Sequence, residues 1–261
     1  MKYTEFPTRN RISIVVPAYN EEENLPILMR EIDQVLQKSN ISAEIILVND
    51  GSTDGTHAIM LQELQRMSGR YDVSVLSMDK NCGLSTALDA GFKAASSEII
   101  VSIDSDLQND PADIPKLLQY IPGYDAVVGI RARRNDSYVK RMSSKIANAI
   151  RDRVLHEQWR DTGCTLKAYK RSFLINIPLL TGMHRFLPTL LRMEGARVLE
   201  VEVNHRARVH GLSKYNLWNR LIGPLMDLLA VRWMKNRRVL YRVTVEQSVS
   251  IDKNLTYREA S

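Results

Sequence analysis

An α/β fold with a largely parallel sheet covered on both faces follows from three features of this 261-residue chain. Short, wholly apolar runs recur through its first half, as in strands that are buried on both sides. Segments with apolar residues at helical spacing separate those runs. Polar clusters follow several of them, and open α/β sheets hold ligands at the carboxyl ends of their strands.

The elements can be taken in order. Residues 12–16 form the first strand, closed by Pro17, and residues 21–38 a helix with Leu25, Leu28, Met29, Ile32, Val35 and Leu36 on one face. A second strand spans 44–48, and a helix near 53–68 follows with Ser52 or Thr53 as its cap. Residues 73–76 are a third strand, 84–95 a helix of small residues, 98–103 a fourth strand and 124–128 a fifth.

The second half changes character. One helix is expected over 137–155, with Tyr138, Met142, Ile146, Ile150 and Val154 about four residues apart. Another is expected over 215–235, carrying Trp218, Leu221, Ile222, Leu225, Leu228, Leu229 and Trp233. Arg206, Arg208, Lys214 and Arg220 precede or enter it, and Arg232, Lys235, Arg237 and Arg238 close it. Two readings stand: an amphipathic interfacial helix with cations near lipid headgroups, or a core-facing helix with a solvated basic face. The first divides the chain into a catalytic domain over 1–210 and a membrane-interface helix and tail over 211–261. Weak alternation around 239–245 suggests an added edge strand.

Composition narrows the function classes. Two cysteines, Cys82 and Cys164, far apart in sequence, do not indicate a disulfide framework and fit a reducing compartment. Residues 1–11 lack the apolar core of a secretory signal. The longest apolar stretch, 221–231, is broken by Pro224 and Asp227 and is too short to span a bilayer. Residues 1–130 carry 19 acids and 10 bases, a net −9, whereas 131–261 carry 26 bases and 11 acids, a net +15. That asymmetry calls for an anionic partner. Neither zinc-ligand spacing nor an aromatic RNA-binding pattern nor a basic heptad helix occurs, so an anionic membrane surface is expected rather than nucleic acid.

Asp104-Ser105-Asp106-Leu107-Gln108 follows the fourth strand. Oxygen-rich clusters of this kind suit Mg²⁺ or Mn²⁺ shared with substrate phosphates; alone, the motif could equally be a solvated acidic turn. Four further segments accompany it: Val15-Val16-Pro17-Ala18-Tyr19-Asn20-Glu21-Glu22-Glu23-Asn24-Leu25, Asn49-Asp50-Gly51-Ser52-Thr53-Asp54-Gly55-Thr56, Asn81-Cys82-Gly83-Leu84-Ser85-Thr86-Ala87, and Asp161-Thr162-Gly163-Cys164-Thr165-Leu166-Lys167, the last preceding another expected strand. Loops after the first, second and fourth strands of a parallel sheet open on one edge, so their polar groups can meet. His57, His156 and His184 show no ligand spacing and read as structural or surface residues. His205 and His210 read as solvating the basic loop, and both cysteines as packing residues.

These motifs, with Asp104-x-Asp106-Leu107-Gln108-x-x-Pro111, Gly129-Ile130-Arg131, Ser144-Lys145-Ile146-Ala147-Asn148 and Arg208-x-x-Gly211-x-Ser213-Lys214-Tyr215, resemble the inverting family 2 glycosyltransferases of the GT-A fold. The branch they resemble is that of the dolichyl- or polyprenyl-phosphate sugar synthases, over roughly residues 10–215. His184-Arg185-Phe186-Leu187-Pro188 resembles its bacterial members. The resemblance implies that Pro17, Tyr19, Glu21 and Asp50 hold the nucleoside, with Asp50 reading a base N–H. It further implies that Asp104 lies near the ribose and metal-bound water, and that Asp106 and Gln108 ligate the metal. Arg131, Lys140 and Ser144 would receive the lipid phosphate, Lys140 standing where the family usually has Arg. Arg208 and Lys214 would close over the diphosphate. Asn49 stands where the family commonly has an acid.

The implied reaction transfers a hexose from a UDP- or GDP-linked sugar to a polyprenyl monophosphate, with Mg²⁺ or Mn²⁺, at the cytoplasmic membrane face. Asp104, Asp106 and Arg131 are the expected catalytic residues, and oligomerisation is left open. An alkyl phosphate is already anionic near neutrality, with a second pKa of about 6. Cations that align it are then needed more than a general base. Transfer to a saccharide or glycolipid hydroxyl, or nucleotide-sugar binding without turnover, are the alternative readings.

Overall fold

The structure, a computed structural model, describes residues 11–131, 149–157, 159–207 and 222–239. Strands β1 (Ile12–Ala18), β2 (Ala43–Asn49), β3 (Asp72–Ser77), β4 (Ile99–Ser102), β5 (Ala126–Arg131), β6 (Lys167–Lys170) and β7 (Val198–Val203) form one sheet of order β3-β2-β1-β4-β6-β5-β7. All pairings are parallel except those of β6, which runs antiparallel between β4 and β5. Because β1 has β2 on one side and β4 on the other, strand order reverses there. The crevice beyond the carboxyl ends of β1 and β4 is therefore the topological switch point, where such sheets bind ligands.

Helices cover both faces: α1 (Leu25–Lys38), α2 (Thr56–Met67), α3 (Leu84–Ala94), α4 (Ile114–Leu118), α5 (149–155), α6 (Arg171–Leu174), α7 (Leu187–Met193) and α8 (Ile222–Arg237). Ile12, Ile14 and Val16 share a core with Leu28 and Ile32 of α1, Met60 of α2 and Leu117 of α4. Val15 and Val48 belong to the opposite core, with Leu88 of α3, Leu191 of α7 and Val231 of α8. The alternation along β1 follows from the two-residue repeat of a strand.

Three local expectations change. β1 runs through Pro17, pairing Pro17 with Val48 and Ala18 with Asn49. Val15 O accepts from Ile103 N, and Pro17, two residues on, faces the same way. Its missing N–H thus lies beyond the last β1–β4 pair, Val15 with Ser102, where no ladder bond is lost. Neither Ser52 nor Thr53 caps α2; its cap position is Gly55, and Asp54 Oδ1 accepts from Thr56 N at 3.0 Å. α1 begins at Leu25 rather than at residue 21, after a turn in which Leu25 N donates to Glu21 O.

Of the helix expected over 137–155, residues 149–155 are described and helical. Tyr138, Met142, Ile146, Trp218 and Leu221 lie outside the described residues, as does the edge strand beyond Val239, which is itself not in a strand. α8 does not divide into one apolar and one basic face. Leu228 and Val231 are buried in the core, while Leu225, Met226, Leu229 and Trp233 are exposed. Lys235 anchors the helix through Glu157 Oε1 (2.8 Å) and Leu155 O (2.7 Å), and Arg238 pairs with Glu194 (2.5 Å).

Candidate active site

A cleft of about 390 Å³ opens at the switch point. Pro17, Tyr19 and Glu21 enter it after β1, Asp50 after β2, and Asp104 and Asp106 after β4. Six residues singled out from sequence therefore meet in one place. Asn81, Gly83, Leu84 and Ala87, from the β3–α3 loop and the start of α3, form its other wall.

The loops are stitched to each other by short polar contacts. Asn20 N donates to Ser52 Oγ (3.1 Å), Thr53 N to Asn20 Oδ1 (2.8 Å), and Glu21 N to Thr56 Oγ1 (2.8 Å). Glu22 Oε2 accepts from Gly55 N at 2.7 Å, and Asn24 Nδ2 holds Glu21 Oε2 at 2.6 Å. Asn49 forms a turn, its Oδ1 accepting from Ser52 N at 2.9 Å. Gly51 adopts φ +66°, and a Cβ there would stand 2.3 Å from Lys80 C, so the turn requires glycine.

Asp50 has a structural duty that its sequence position does not reveal. Its carboxylate accepts from Cys82 N (2.7 Å), Gly83 N (2.9 and 3.2 Å) and Asn81 Nδ2 (3.0 Å). Those bonds fix the 81–83 loop against the cleft. Burial raises its pKa, and the Cys82 and Gly83 N–H groups oppose that rise.

The acidic motif is crowded. Burial first, then the Asp106 charge, pushes the Asp104 carboxyl upward; the Thr165 hydroxyl and the Lys167 charge pull it back, while Glu21 adds to the rise. Gln108 follows closely, its N–H donating to Asp106 Oδ1 at 3.1 Å. Asp104 and Asp106 are hard oxygen donors of the kind Mg²⁺ or Mn²⁺ takes, and Glu21 is near enough to add to the rise. Among the described residues no three acidic, histidine or cysteine side chains gather closely enough to hold a metal ion by themselves, so waters and substrate phosphate would have to complete the shell of such an ion.

The 161–167 segment does not by itself reveal what Asp161 does. In the structure Arg131 is held by it: Nε–Oδ2 is 2.6 Å, Nη2–Oδ1 2.8 Å, and the Arg131 backbone N–H reaches Oδ2 at 3.2 Å. The guanidinium therefore sits in a bidentate, largely enclosed ion pair. Gly163 makes room for it, since a Cβ there would lie 2.9 Å from Arg131 Nη2. Lys167, the end of the 161–167 segment, is wholly buried at the start of β6, a position the segment does not reveal. Burial lowers its pKa against the pull of Cys164, Asp161 and Asp104, so it stands electrostatically between the acidic motif and the Arg131 pair. Its sequence signal is slight, since a second lysine, Lys170, closes the same four-residue strand.

His184 keeps a structural role, Nδ1 meeting Ser85 Oγ at 2.7 Å. Cys164 is buried, with its thiol pushed up to about 11 by that burial, as befits a packing residue. Lys140, Ser144, Arg208 and Lys214 lie outside the described residues.

Residues 13–177 match the family described as Glycosyl transferase family 2. The undecaprenyl-phosphate 4-deoxy-4-formamido-L-arabinose transferase of Pectobacterium atrosepticum is 35% identical over 230 residues, covering 88% of this chain and 69% of that protein. The protein of the same name from Aeromonas hydrophila is 34% identical over 219 residues, covering 84% and 66%. The chain thus spans about two thirds of the length of these relatives. Among solved structures, glucosyl-3-phosphoglycerate synthase from Mycobacterium tuberculosis with Mn²⁺, UDP and phosphoglyceric acid superposes with a TM-score of 0.65 at 21% identity, over 87% of this chain and 78% of that one. Its complex with Mg²⁺ and UDP gives 0.64 at 21% identity, over 87% and 79%. At that identity the likeness bears on fold alone.

Proposed function

Because the chain belongs to glycosyl transferase family 2, we propose that it transfers a hexose from a UDP- or GDP-linked sugar to a polyprenyl monophosphate, with inversion at the anomeric carbon. The observation that carries this reading is the meeting of Glu21, Asp104 and Asp106 with Pro17, Tyr19 and Asp50 in the switch-point cleft. The relatives' names, which specify undecaprenyl phosphate, support the acceptor.

Pro17 and Tyr19 line the nucleoside end, and Asp50 secures the 81–83 wall beside it. Asp106 and Gln108 would hold Mg²⁺ or Mn²⁺, with Asp104 supporting them. When bound, the ion neutralises charge that develops on the departing diphosphate. Arg131, oriented by Asp161, receives the lipid phosphate together with Lys140 and Ser144, and Arg208 and Lys214 close over the diphosphate. Alignment by these groups lets the anionic phosphate attack without a strong base.

Residues 1–210 act as the catalytic part and 211–261 as the interface part of a peripheral protein on the cytoplasmic membrane face. The exposed Leu225, Met226, Leu229 and Trp233, with Arg232 and Arg237 near them in sequence, support contact with anionic lipid. Among the described residues no helix is long and apolar enough to cross a membrane.

The test is transfer itself. Protein, Mn²⁺, UDP- or GDP-hexoses and undecaprenyl phosphate should yield an acid-labile lipid-linked sugar of inverted configuration. Sugar appearing only on saccharide or glycolipid hydroxyls would replace the lipid phosphate with a hydroxyl acceptor, and nucleotide-sugar binding without any transfer would make the protein a binder.

A further inference from the structure

The turn that carries Asp106 and Gln108 is held by a strand end far away in sequence. Leu107, between them, adopts φ +62°, a left-handed conformation that an L side chain enters only at a cost. It is buried in the core, so the turn cannot relax by releasing the side chain. Such a conformation persists where the surroundings over-determine it.

The surroundings here are residues 204–206, just past β7. Asn204 N donates to Asp113 Oδ2 at 2.6 Å, His205 forms an antiparallel bridge with Asn109, and Arg206 N donates to Gln108 O at 2.9 Å. The Arg206 side chain then locks the arrangement. Nη1 lies 2.7 and 2.8 Å from the two oxygens of Glu31 on α1, and Nη2 lies 2.9 Å from Asp110 Oδ1. Asn109 continues the chain inward, its Nδ2 donating to Thr165 Oγ1 at 2.9 Å, and the Thr165 hydroxyl bonds to Asp104.

We propose that Arg206 is a positioning residue for the cation site: by clamping the 108–110 turn to α1, it sets the Gln108 and Asp106 oxygens for Mg²⁺ or Mn²⁺. The inference rests on the proposed placement of that ion at Asp106 and Gln108. Glu31 is part of the same device although it lines no part of the cleft. Arg206 suits the task because its planar fork reaches two carboxylates at once, which a lysine cannot reproduce.

The experiment counts bound Mn²⁺ by the loss of its free electron paramagnetic resonance signal, with UDP or GDP present, whichever the unaltered protein binds. Groups outside the ligand shell that orient it change metal affinity by roughly 10–100-fold. Arg206→Ala should weaken Mn²⁺ about 10-fold, near the low end because its link to Gln108 is through the backbone. Arg206→Lys should recover only part of that loss. Glu31→Gln should shift Mn²⁺ affinity in the same direction, and adding it to Arg206→Ala should change nothing further. Metal-free nucleotide binding should stay within two-fold (about 0.4 kcal/mol) in every variant, a result that general loosening would not give. Unchanged Mn²⁺ affinity in a folded Arg206→Ala protein would overturn the proposal. Should that variant not fold, unchanged affinity in Glu31→Gln overturns it instead. Failure of the unaltered protein to bind Mn²⁺ with either nucleotide would remove the cation reading itself, and this inference with it.

Discussion

Arg131 and Asp161 provide a perturbation in which stability and chemistry separate. The Asp161 side chain is only 4% exposed and that of Arg131 21%. Arg131→Ala would strand a buried carboxylate that also accepts from Gly163 N at 3.0 Å. Removing one partner of a buried pair costs about 3–5 kcal/mol. The partial exposure of Arg131 argues for the lower end, about 3 kcal/mol. For a chain of this size that lowers Tm by about 6–12 °C. Arg131→Met with Asp161→Asn removes both charges and keeps an acceptor for Gly163. The double variant should therefore recover about 2 kcal/mol relative to Arg131→Ala.

Chemistry should not recover with it. A lost charge-assisted contact to the lipid phosphate costs about 1.5–3 kcal/mol, or about 10- to 150-fold in transfer. Thermal melts, donor affinity by calorimetry and transfer to undecaprenyl phosphate form the assay. Donor affinity should remain within a few-fold in both proteins. Strictly additive stabilities would show that the pair contributes nothing as a pair. Transfer restored in the double variant would show that Arg131 serves the fold and not the acceptor.

Three further outcomes follow from the same geometry. Asp106→Ala should abolish transfer and make nucleotide binding indifferent to Mn²⁺, whereas Gln108→Ala should be milder because water replaces a neutral ligand more readily; full activity in Asp106→Ala at saturating donor would sink the assignment. Vesicles containing anionic lipid should bind the protein in a salt-sensitive way, at roughly 1 kcal/mol per nearby Lys or Arg, with a blue shift of Trp fluorescence that Trp233→Ala diminishes; absence of binding at low salt would count against the exposed strip of α8 as a membrane contact. Burial first, then the Arg185 and Lys167 charges, brings His184 down to about 3, so the unfolded chain, titrating near 6.5, takes up its proton first. Its contribution to stability is present above about 6.5 and lost as pH falls toward 3; His184→Asn should flatten the fall of the urea midpoint over that window, and equal slopes in both proteins would contradict it.

The parallel core of the fold was legible because β1, β2 and β4 are apolar enough to demand burial on both faces, and each is followed by a polar turn. β6 was less so. It has four residues, two of them lysines, and its antiparallel direction is set by pairing with both β4 and β5. β7 has the sequence Val198-Leu199-Glu200-Val201-Glu202-Val203, whose alternation of apolar residues with Glu carries a strand signal. In the site, the short motifs name Pro17, Tyr19, Glu21, Asp50, Asp104 and Asp106, which share the cleft. Contacts between partners far apart along the chain are not legible in this way. The Asp50 carboxylate is met by backbone N–H groups more than 30 residues away, and Arg206 pairs with Glu31 across 175 positions. No local periodicity encodes either.

The charge asymmetry also acquires a finer meaning. Several cations of the basic half are committed to acids within the fold: Arg131 to Asp161, Lys170 and Arg197 to Asp125, Arg206 to Glu31 and Asp110, Lys235 to Glu157, and Arg238 to Glu194. These contacts help to place β6, β7, α8 and the 108–110 turn, and their six cations and six acids cancel as a set: Lys170 and Arg197 leave one positive charge over at Asp125, and Glu31 and Asp110 leave one negative charge over at Arg206. They therefore add little to the field felt by an approaching phosphate. By sequence, residues 132–148 carry five bases against one acid, and residues 208–221 three bases and no acid. About half of the net +15 of residues 131–261 is concentrated in those two stretches, which contain Lys140, Arg208 and Lys214. An enzyme that receives one anion from the lipid and releases another from the donor needs surplus positive charge near both, separate from the cations that hold its fold. The pairing of the described cations explains why one half of the chain can be strongly basic while its described core remains close to electrostatic balance.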